Sequence, residues 1–464
     1  MTKKLWGTRF PKKTNILVDK FTSSISFDKR LVKYDIIGSI AHAKMLGKKK
    51  IIAPAEANLI LKGLKAILKE IDKGKFRFDY NAEDIHTNIA NVLRKKIGAA
   101  ADKLHTARSR NDQIVLDVKM YCKEAICDLV NLIVSLEKSI IKLTDKNSCV
   151  IIPAYTHLQV AQCVLLSHHL LAYLEMLERD KERLLDARKR TDYMPLGSCA
   201  LSGTGLPIDR EYVKKELGFS KVTENSIDSV SDRDFIIELL SDLAILSVHL
   251  SRIAEDLILW STKEFNFIDI DFSFCTGSSI MPHKKNPDVL ELIRASVGKI
   301  HGDLSSVLIL MKGLPLSYNR DLQLDKPPLF DSVDTITDIL AVFIELFKNI
   351  KLNKEVIENR LKDESLFSVD IVEFFIKKGV SYRMAHDITG RMVRDTLDKG
   401  KKISKLTLKD FKKYSDKFKS KEDEKEIKSI LNAWASVSRK TSYGGTSPRL
   451  VKRQIKRWKD KLDA

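Results

Sequence analysis

The chain is short of the two residue types that most often end secondary-structure elements. Its 464 residues include 19 glycines and 11 prolines, roughly 4% and 2%, whereas an average protein has about 7% and 5%. Many short strands joined by tight turns would need more of both residues. The shortage therefore favours long helices with few connections.

Cysteine pairs and long apolar runs are also missing. The six cysteines form no Cys-x-x-Cys pair, so they indicate free thiols in a reducing cytosol. The first ten residues have no apolar core of signal-peptide length, and no segment approaches the ~20 uncharged apolar residues of a membrane span. The sequence has no tandem repeat and no Gly-x-x-x-x-Gly-Lys-Ser/Thr pattern. We therefore expect a cytoplasmic protein without a membrane partner.

The net charge of +19 indicates either an anionic partner or a lysine-rich surface that aids solubility. The lysines are spread along the chain, and the densest run, residues 398–428, also contains acidic residues. Aromatic and basic residues do not interleave as they do in proteins that bind single-stranded nucleic acid. We therefore expect no nucleic-acid partner, and a steep salt dependence of DNA binding would contradict this expectation.

Long helical periodicity is the clearest positive feature. Apolar residues recur at helical spacing in five segments, and the third is apolar on most of its circumference, which predicts burial among other helices. No alternating β pattern exceeds a few residues, so the predicted fold class is all-α, a long-helix bundle. The five segments are Gln113–Leu143, Gln162–Arg190, Asp234–Trp260, Pro287–Met311 and Asp331–Ile350.

Two interruptions of this pattern predict three domains. The polar stretch LHTARSRND breaks the periodicity near Arg110, and the chain becomes more charged after about residue 353. We therefore predict an N-terminal helical domain over residues 1–110, a central long-helix bundle domain over 111–355 and a C-terminal helical domain over 356–464.

The stretch Cys275–Pro287, CTGSSIMPHKKNP, concentrates polar groups between two predicted helices. Its two prolines exclude a continuous helix. Gly277 permits a close backbone approach, and the backbone N–H groups of the following serines could form a nest for an anion. Lys284 and Asn286 add a positive charge and a donor. A capped turn would explain the prolines and serines but not these two residues, so the stretch suits a developing oxyanion on a carboxylate.

A second polar stretch, HTARSRNDQ, places Arg108, Arg110 and Asn111 at the start of a predicted helix. A helix N-terminus favours an anion, and the guanidinium fork suits a carboxylate. These arginines could equally pair with Asp84 or Asp112 in an ion-pair network. The residues alone leave both interpretations open.

A third polar stretch, YTHLQ, places Thr156 and His157 just before a long predicted helix. A single histidine is more often a packed or surface residue than a catalytic one. The spacing from His157 to His168 and His169 does not match a metal site, and no Cys or Glu cluster joins them. We therefore predict no metal ligands here.

Read together, several segments resemble the argininosuccinate lyase family of the fumarase/aspartase superfamily, which includes lens proteins of the delta-crystallin type. The segments are KLWGTRF, EDIH, LHTARSRNDQ, YTHLQVAQ, GSSIMPHKKNPDVLELIR and GGTSP, and they extend from Lys4 to near Val451. The GSSIMPHKKNP loop alone identifies only the superfamily, whereas the combination is specific to the family.

This resemblance implies a three-domain protomer and a homotetramer with a 20-helix core, in which loops of three protomers form each active site. The implied reaction is the reversible β-elimination of argininosuccinate to L-arginine and fumarate through an aci-carboxylate intermediate, a step of arginine biosynthesis. It implies neither a metal nor an organic cofactor.

The resemblance also implies catalytic roles for Ser278, His157, Glu291 and Lys284. Ser278 would transfer the proton at the carbon next to the carboxylate, although a free serine hydroxyl needs activation to act as a base. His157, paired with Glu291, would handle the proton of the guanidinium leaving group. Lys284 would help to hold the charge of the aci-carboxylate. The reverse assignment, with His157 as the base, fits the sequence equally well.

The same resemblance implies a set of substrate-binding residues, of which the tyrosine, glutamine and lysine would hold the far end of the substrate. The set is Ser24, Asn111, Thr156, Asn286, Tyr318, Gln323, Lys326, Arg110 and Arg233. Three positions depart from the family pattern: His283 stands where Gln is frequent, Ala90 where Glu is frequent, and Cys199 where Gly or Ala is usual. None of the three removes a proposed catalytic group.

There are three alternatives: one is another enzyme of the same superfamily, and two belong to other functional classes. Adenylosuccinate lyase or another superfamily enzyme would share the serine loop, but TARSRNDQ combined with KKNPD is not expected there. A structural protein of the lens type could keep the fold without activity, yet Ser278, His157, Glu291 and Lys284 are all present. A basic nucleic-acid binder would account only for the charge.

Overall fold

The structure is a computed structural model, and it describes residues 14–463; the predicted motif KLWGTRF lies outside them. Within this range the chain is almost wholly helical. The α-helices are α1 (Ile16–Thr22), α2 (Ile25–Asp28), α3 (Val32–Lys48), α4 (Pro54–Asp72), α5 (Ile85–Ile97), α6 (Arg110–Lys146), α7 (Leu166–Thr191), α8 (Arg210–Leu217), α9 (Ser226–Ser231), α10 (Asp234–Ser261), α11 (Asp288–Met311), α12 (Lys326–Asn349), α13 (Lys354–Arg360), α14 (Ser368–Lys377), α15 (Tyr382–Asp395), α16 (Leu408–Phe411), α17 (Lys421–Ile430), α18 (Ala433–Arg439) and α19 (Pro448–Asp463).

Short 3₁₀ segments and strands connect the helices. The 3₁₀ segments are Lys29–Leu31, Gly98–His105, Phe272–Phe274, Arg320–Asp325, Glu364–Phe367, Leu397–Lys399 and Ile403–Lys405. The strands of the described residues are β1 (Ile151–Thr156), β2 (Gln159–Leu165), β3 (Tyr193–Met194), β4 (Lys221–Val222), β5 (Ile268–Asp269) and β6 (Lys351–Leu352). They pair as β1–β2 and β5–β6, both antiparallel, and as β3–β4, which is parallel.

The five predicted long helices are confirmed as α6, α7, α10, α11 and α12, and so is the all-α fold class. The start of α7 was predicted too early. Residues 162–165 belong to β2, and the helix begins at Leu166. None of the helices between residues 14 and 463 has the length and apolar character that a bilayer crossing requires.

Helix α5 shows how the sequence sets the bounds of a helix. Asp84 is the N-cap, and its side chain accepts a hydrogen bond from the Thr87 N–H at 2.7 Å, which satisfies one of the free donors of the first turn. Gly98 ends the helix with a φ of 69°, a conformation that costs glycine little. Capping therefore determines where the EDIH motif enters the helix.

The hairpin β1–β2 was missed by the sequence analysis. Its register runs from Ile151 opposite Leu165 to Thr156 opposite Gln159, with an irregularity between Ala154 and Tyr155. Leucine, valine and isoleucine side chains occupy much of it, but a proline in β1 hides the alternation that marks a strand. The hairpin places the turn between its strands immediately after Thr156.

The chain divides into two compact units. Among the described residues, the first comprises 14–131, 180–247 and 296–337, and the second comprises 132–179, 248–295 and 338–463. The first unit has an apolar core formed by α3, α4 and α5, with buried residues such as Ile36, Leu64 and Ile89. The second has a phenylalanine-rich core that includes Phe375 and Phe418. The division into three domains stays a prediction.

Candidate active site

The loop between the 3₁₀ segment Phe272–Phe274 and α11 is closed by two main-chain hydrogen bonds. The Thr276 N–H donates to the Asn286 carbonyl at 3.1 Å, and the Asn286 N–H donates to the Thr276 carbonyl at 2.8 Å. The Thr276 hydroxyl also donates to the Asp288 carboxylate. Residues 277–285 therefore form a closed loop whose ends are held by backbone atoms.

Ser278 occupies a defined position within this loop. Its Oγ accepts hydrogen bonds from the N–H groups of Ile280 at 3.3 Å and Met281 at 3.1 Å. Donors directed at an oxygen favour its ionised form, so these two N–H groups stabilise the negative charge that a serine base must carry. The loop thus supplies part of the activation that a free serine hydroxyl lacks.

The two lysines of the loop differ in their surroundings. The Lys285 ammonium pairs with Asp269 at 2.8 Å and lies 4.1 Å from the centre of the Phe272 ring. The Lys284 side chain is exposed and has no hydrogen-bond or ion-pair partner among residues 14–463. Of these two lysines, only Lys284 therefore has an uncommitted positive charge, and its catalytic role stays a prediction.

His157 and Leu158 form the two-residue turn of the hairpin β1–β2. Their φ angles are 55° and 56°, and a two-residue hairpin turn with two positive φ angles is one that prefers Asn-Gly. A non-glycine residue in this conformation costs of order 1–3 kcal/mol, and such strain often marks a functional position. The turn leaves the His157 ring exposed.

The side chains of His157 and Glu291 have no hydrogen-bond or ion-pair partner in the part of the chain that the structure describes, and both are exposed. Glu291 lies in the first turn of α11. The predicted pairing of His157 with Glu291 is therefore absent within one chain's described residues, where both belong to the second unit.

Ser24 lies in the first unit and is buried beside Asp28. The Ser24 hydroxyl donates to the Asp28 carboxylate at 2.5 Å, and the other Asp28 oxygen accepts the Ile85 N–H at 3.1 Å. Burial raises the pKa of Asp28, although His86 opposes the shift. Because its proton is committed to Asp28, Ser24 presents lone pairs, and it suits an N–H group of a ligand.

The ion-pair network that the sequence left open at the start of α6 is present in part. Arg110 pairs with Asp84 at 3.2 Å and donates to the Gln113 side chain at 2.9 Å. Asp112 binds no arginine there; it accepts N–H groups of Gly197 and Cys199 at 2.9 and 2.8 Å. The Arg110 guanidinium is therefore largely committed to protein partners.

The neighbouring Asn111 keeps free capacity. Its side-chain amide donates to the Ala200 carbonyl at 3.0 Å, which leaves its side-chain oxygen available. The amide bond fixes the side chain against the loop that follows β3. Contact between Asn111 and a ligand stays a prediction.

A buried charge cluster near the start of α12 holds two of the predicted residues, Arg233 and Lys326. Arg233 Nε donates to Asp325 at 2.5 Å, and the Lys326 ammonium donates to the other Asp325 oxygen at 2.8 Å. Gln323 donates to the Thr22 carbonyl at 3.2 Å. Burial raises the pKa of Tyr318, on which Arg233 and Asp325 also act.

The predicted site residues fall into two sets, one in each unit. Thr156, His157, Ser278, Lys284, Asn286 and Glu291 belong to the second unit; Ser24, Arg110, Asn111, Arg233, Tyr318, Gln323 and Lys326 belong to the first. The sequence analysis missed Asp28 and Asp325, which bind predicted residues directly. Asp28 lies four residues after Ser24, one helical turn away, and Asp325 adjoins Lys326, so spacing alone could have suggested both.

The EDIH motif contributes a buried histidine between two carboxylates. His86 Nδ1 lies 3.5 Å from Asp35 and 3.6 Å from Asp117, and the donor atoms of the three residues lie within 4.8 Å of one another. Such a set has the ligand types for a divalent cation. The charge of nearby Arg108 acts on both carboxylates, however, and opposes a second cation.

Protons account for this cluster without a cation. Burial, and then the Asp35 charge, raise the pKa of Asp117 well above its usual value. Neither Asp117 oxygen has a hydrogen-bond partner among the described residues. Although burial opposes the shift, His86 and Arg108 lower the pKa of Asp35 to about 2. Folding therefore favours the neutral form of Asp117 and the ionised form of Asp35.

Replacement of Asp117 by asparagine should change how the stability of the fold depends on pH. A group whose pKa is raised by folding stabilises the fold below its unfolded pKa, about 4, and loses that contribution as pH rises through the folded value. Asp117→Asn, which stays neutral, should therefore become more stable relative to the unchanged protein as pH rises above about 4. Urea unfolding at a series of pH values measures this difference.

Asp331→Asn provides the control, because it removes an exposed carboxylate that pairs with Lys299. It should give a small difference without an upward trend. A difference between Asp117→Asn and the unchanged protein that stays constant across the pH range would contradict a raised pKa of Asp117.

The backbone conformation at Cys199 bears on one departure from the family pattern. Its φ is 53°, a conformation that glycine adopts without a steric penalty. The thiol donates to the Ala107 carbonyl at 3.4 Å. The usual glycine at this position therefore reflects the backbone, and the cysteine tolerates the same conformation.

Comparisons with known proteins agree with this geometry. A family model described as "Lyase" matches residues 8–302, and one described as "Argininosuccinate lyase C-terminal" matches residues 366–438. The chain is 46% identical over 459 residues to argininosuccinate lyase of Pelotomaculum thermopropionicum, with 99% of both chains covered. It is 48% identical over 457 residues to that of Geobacter sp. strain M21, covering 98% of this chain and 99% of the relative.

A solved structure shares the fold. EDDS lyase in complex with formate matches with a TM-score of 0.84 and 26% sequence identity, over 94% of this chain and 87% of that chain. With the loop, the turn and relatives at this level of identity, the chain belongs to the argininosuccinate lyase family.

Proposed function

We propose that the protein is an argininosuccinate lyase, which catalyses the reversible β-elimination of argininosuccinate to L-arginine and fumarate in arginine biosynthesis. The observation that carries the proposal is the position of Ser278, whose oxygen receives two backbone N–H groups inside the closed loop. A lens-type structural protein would have no need for this arrangement, and the family's catalytic side chains are all retained.

The reaction begins at the carbon next to a carboxylate of the succinyl group. Ser278, as its alkoxide, takes the proton of this carbon, and the C–H electrons move onto the carboxylate to give the aci-carboxylate. Backbone N–H groups of the loop, with Lys284 and Asn286, hold the added charge; removal of one such donor typically costs ~10²–10³ in rate.

Collapse of the aci-carboxylate completes the elimination. Its electrons return to form the carbon–carbon double bond of fumarate, and the C–N bond breaks toward the guanidino nitrogen. His157 gives a proton to this nitrogen directly or through water, and Glu291 orients the imidazole. Ser278 then releases the proton it gained and His157 takes up a proton to replace the one it gave, both by exchange with solvent, so each turnover returns the enzyme to its starting state. No step calls for a metal or an organic cofactor.

The remaining predicted residues would bind the substrate. Ser24 accepts a hydrogen bond from an N–H group of the substrate, because its own hydroxyl hydrogen is donated to Asp28. Asn111 and Thr156 contact the substrate, and Tyr318, Gln323 and Lys326 hold its arginine end. Arg110 is largely committed to protein partners, which favours a supporting role, whereas Arg233 pairs with Asp325 and keeps one donor nitrogen unused.

The protein acts as a homotetramer with sites shared between protomers. His157 and Glu291 lack partners within the described part of one chain, which fits a site completed by another protomer. Helix α11 also leaves large apolar side chains exposed, with Leu292 and Ile309 at 69% and 71%, and such patches mark protein interfaces. The six free thiols fit the cytoplasm. No nucleic-acid or membrane partner is proposed.

The direct test is incubation with argininosuccinate while the ultraviolet absorbance of fumarate is followed. Fumarate and arginine should appear in equal amounts. Adenylosuccinate is the matched control for the rival enzyme and should give no fumarate. A correctly assembled protein that releases fumarate only from adenylosuccinate, or from neither compound, would overturn the proposal.

Sharing of the site predicts complementation between inactive variants. We expect mixed tetramers of Ser278→Ala and His157→Asn to regain part of the activity, because some sites then receive an unchanged loop and an unchanged histidine from different chains. Ser278→Ala mixed with Lys284→Ala is the control: both changes lie in one loop, so no unchanged loop exists in the mixture. Recovery in neither mixture would contradict the shared site.

A further inference from the structure

The buried cluster at the start of α12 contains an acidic residue, Asp325, that the predicted substrate-binding set leaves out. The Asp325 carboxylate lies between two cations, Arg233 Nε at 2.5 Å and Lys326 Nζ at 2.8 Å. The exposed fractions of the three side chains are 0%, 1% and 4%. At this depth an unpaired charge is costly, so the carboxylate determines whether both cations can remain in place.

The charges of this cluster do not cancel. One carboxylate is hydrogen-bonded to two cations, which leaves a surplus of one positive charge among these three groups; the Asp28 carboxylate acts on Lys326 only through space. Arg233 Nη1 donates to the Asp232 carbonyl at 2.7 Å, whereas its Nη2 has no hydrogen-bond partner among the described residues. The Asp232 carboxylate is taken by Lys119 at 2.9 Å. A buried surplus charge with an unused donor suits an anionic group of a ligand.

Space for a ligand adjoins the cluster. Arg233 lines a cavity of about 250 Å³ together with Ser317 and Leu322. Two other carboxylates on its wall, Asp228 and Asp234, are exposed, so solvent screens their attraction for the cluster. The surplus charge therefore remains available to a carboxylate that enters from this side.

We propose that Asp325 is a positioning residue for the arginine end of the substrate: it holds Lys326 against Arg233 and so directs the surplus positive charge at the α-carboxylate of the arginine moiety. This inference rests on the proposed function. Lys326 has one further acceptor, the Leu322 carbonyl at 3.2 Å, so Asp325 supplies its only charged partner among the described residues. Asp325 acts through Lys326 and does not itself touch the substrate.

Asp325→Asn tests this role. The amide oxygen can accept from one cation only, and the amide NH₂ repels the other, so Lys326 should lose its position. Loss of a charged hydrogen bond is worth about 1.5–3 kcal/mol, or roughly 10–150-fold in affinity. We expect KM for argininosuccinate, and KM for arginine in the reverse reaction, to rise by about that factor. KM for fumarate should stay within about twofold of the unchanged enzyme.

Asp370→Asn is the matched control. Asp370 is also a buried carboxylate held by a lysine and a hydroxyl, Lys440 at 3.0 Å and Ser436 at 2.6 Å, and it lies in the second unit. Its replacement makes the same chemical change and should lower stability without separating the KM values for arginine and fumarate. A purely structural role for Asp325 would give the same result as this control.

A double variant shows whether Asp325 acts through Lys326. Lys326→Met should raise KM for arginine by itself, and Asp325→Asn in that background should add nothing further. If Asn at position 325 prevents folding, Asp325→Glu keeps the charge but displaces it, and it should raise the same KM selectively. Equal changes in both KM values, no change, or full additivity in the double variant would overturn the inference. An unchanged enzyme that releases no fumarate would instead overturn the proposed function.

Discussion

Ser278→Ala should reduce kcat by about 10²–10⁴-fold, the range that general acid–base groups contribute. The substitution removes the oxygen that receives two backbone N–H groups and leaves no base at the reacting carbon. The loop should keep its shape, because the Thr276–Asn286 bridge is formed by main-chain atoms. Initial rates of fumarate release measure the effect.

Ser279→Ala is the matched control for this experiment. It makes the same chemical change one residue later, at an exposed hydroxyl that has no hydrogen-bond partner among the described residues, and it keeps the backbone N–H. We expect kcat to remain within about tenfold of the unchanged enzyme. The assignment of Ser278 fails if the two variants lose activity equally, or if Ser278→Ala turns over at a near-normal rate while both remain tetrameric.

His157→Asn should also reduce kcat by about 10²–10⁴-fold, while the stability of the fold is kept or increased. Asparagine tolerates a positive φ better than histidine does, and it is preferred at the first position of this type of turn. The variant removes the imidazole that protonates the leaving group but improves the hairpin β1–β2. Opposite changes in activity and stability would show that the turn keeps a strained residue for its chemistry.

Leu158→Gly tests the backbone strain of the turn while His157 remains unchanged. It relieves the second positive φ of the turn, 56°, and should raise the free energy of unfolding by about 1 kcal/mol while the enzyme keeps most of its activity. Activity and thermal unfolding of both variants provide the measurements. A His157→Asn enzyme that retains more than about a tenth of the normal kcat would contradict the role of His157.

The long helices could be predicted because their signal is repeated many times. Helix α10 is apolar around most of its surface over 28 residues, so a few exceptions do not hide the pattern. The hairpin could not be predicted in the same way, since Pro153 and the irregularity at Ala154 interrupt a short alternation. The hairpin places His157 in the turn between two strands, whereas the sequence placed it just before a long helix.

The candidate site was predictable in its residue types but not in its hydrogen bonds. The pattern of the serine loop indicated an oxyanion site, yet nothing in the sequence distinguishes Lys284 from Lys285; the distinction depends on Asp269, fifteen or more residues away along the chain. Likewise, the partner of Arg233 is Asp325, 92 positions later. Such pairs depend on tertiary packing, which local patterns do not encode.

The backbone bridge between Thr276 and Asn286 has a consequence for variation within the loop. Since two hydrogen bonds between peptide groups join its ends, closure of the loop does not require a particular side chain at positions 279–283, whereas the Ser278 side chain does shape its interior. The histidine at position 283 illustrates this tolerance. Libraries that randomise positions 279–283 should consequently yield many folded proteins, and selection among them could redirect the loop toward other acids without rebuilding the helices that carry it.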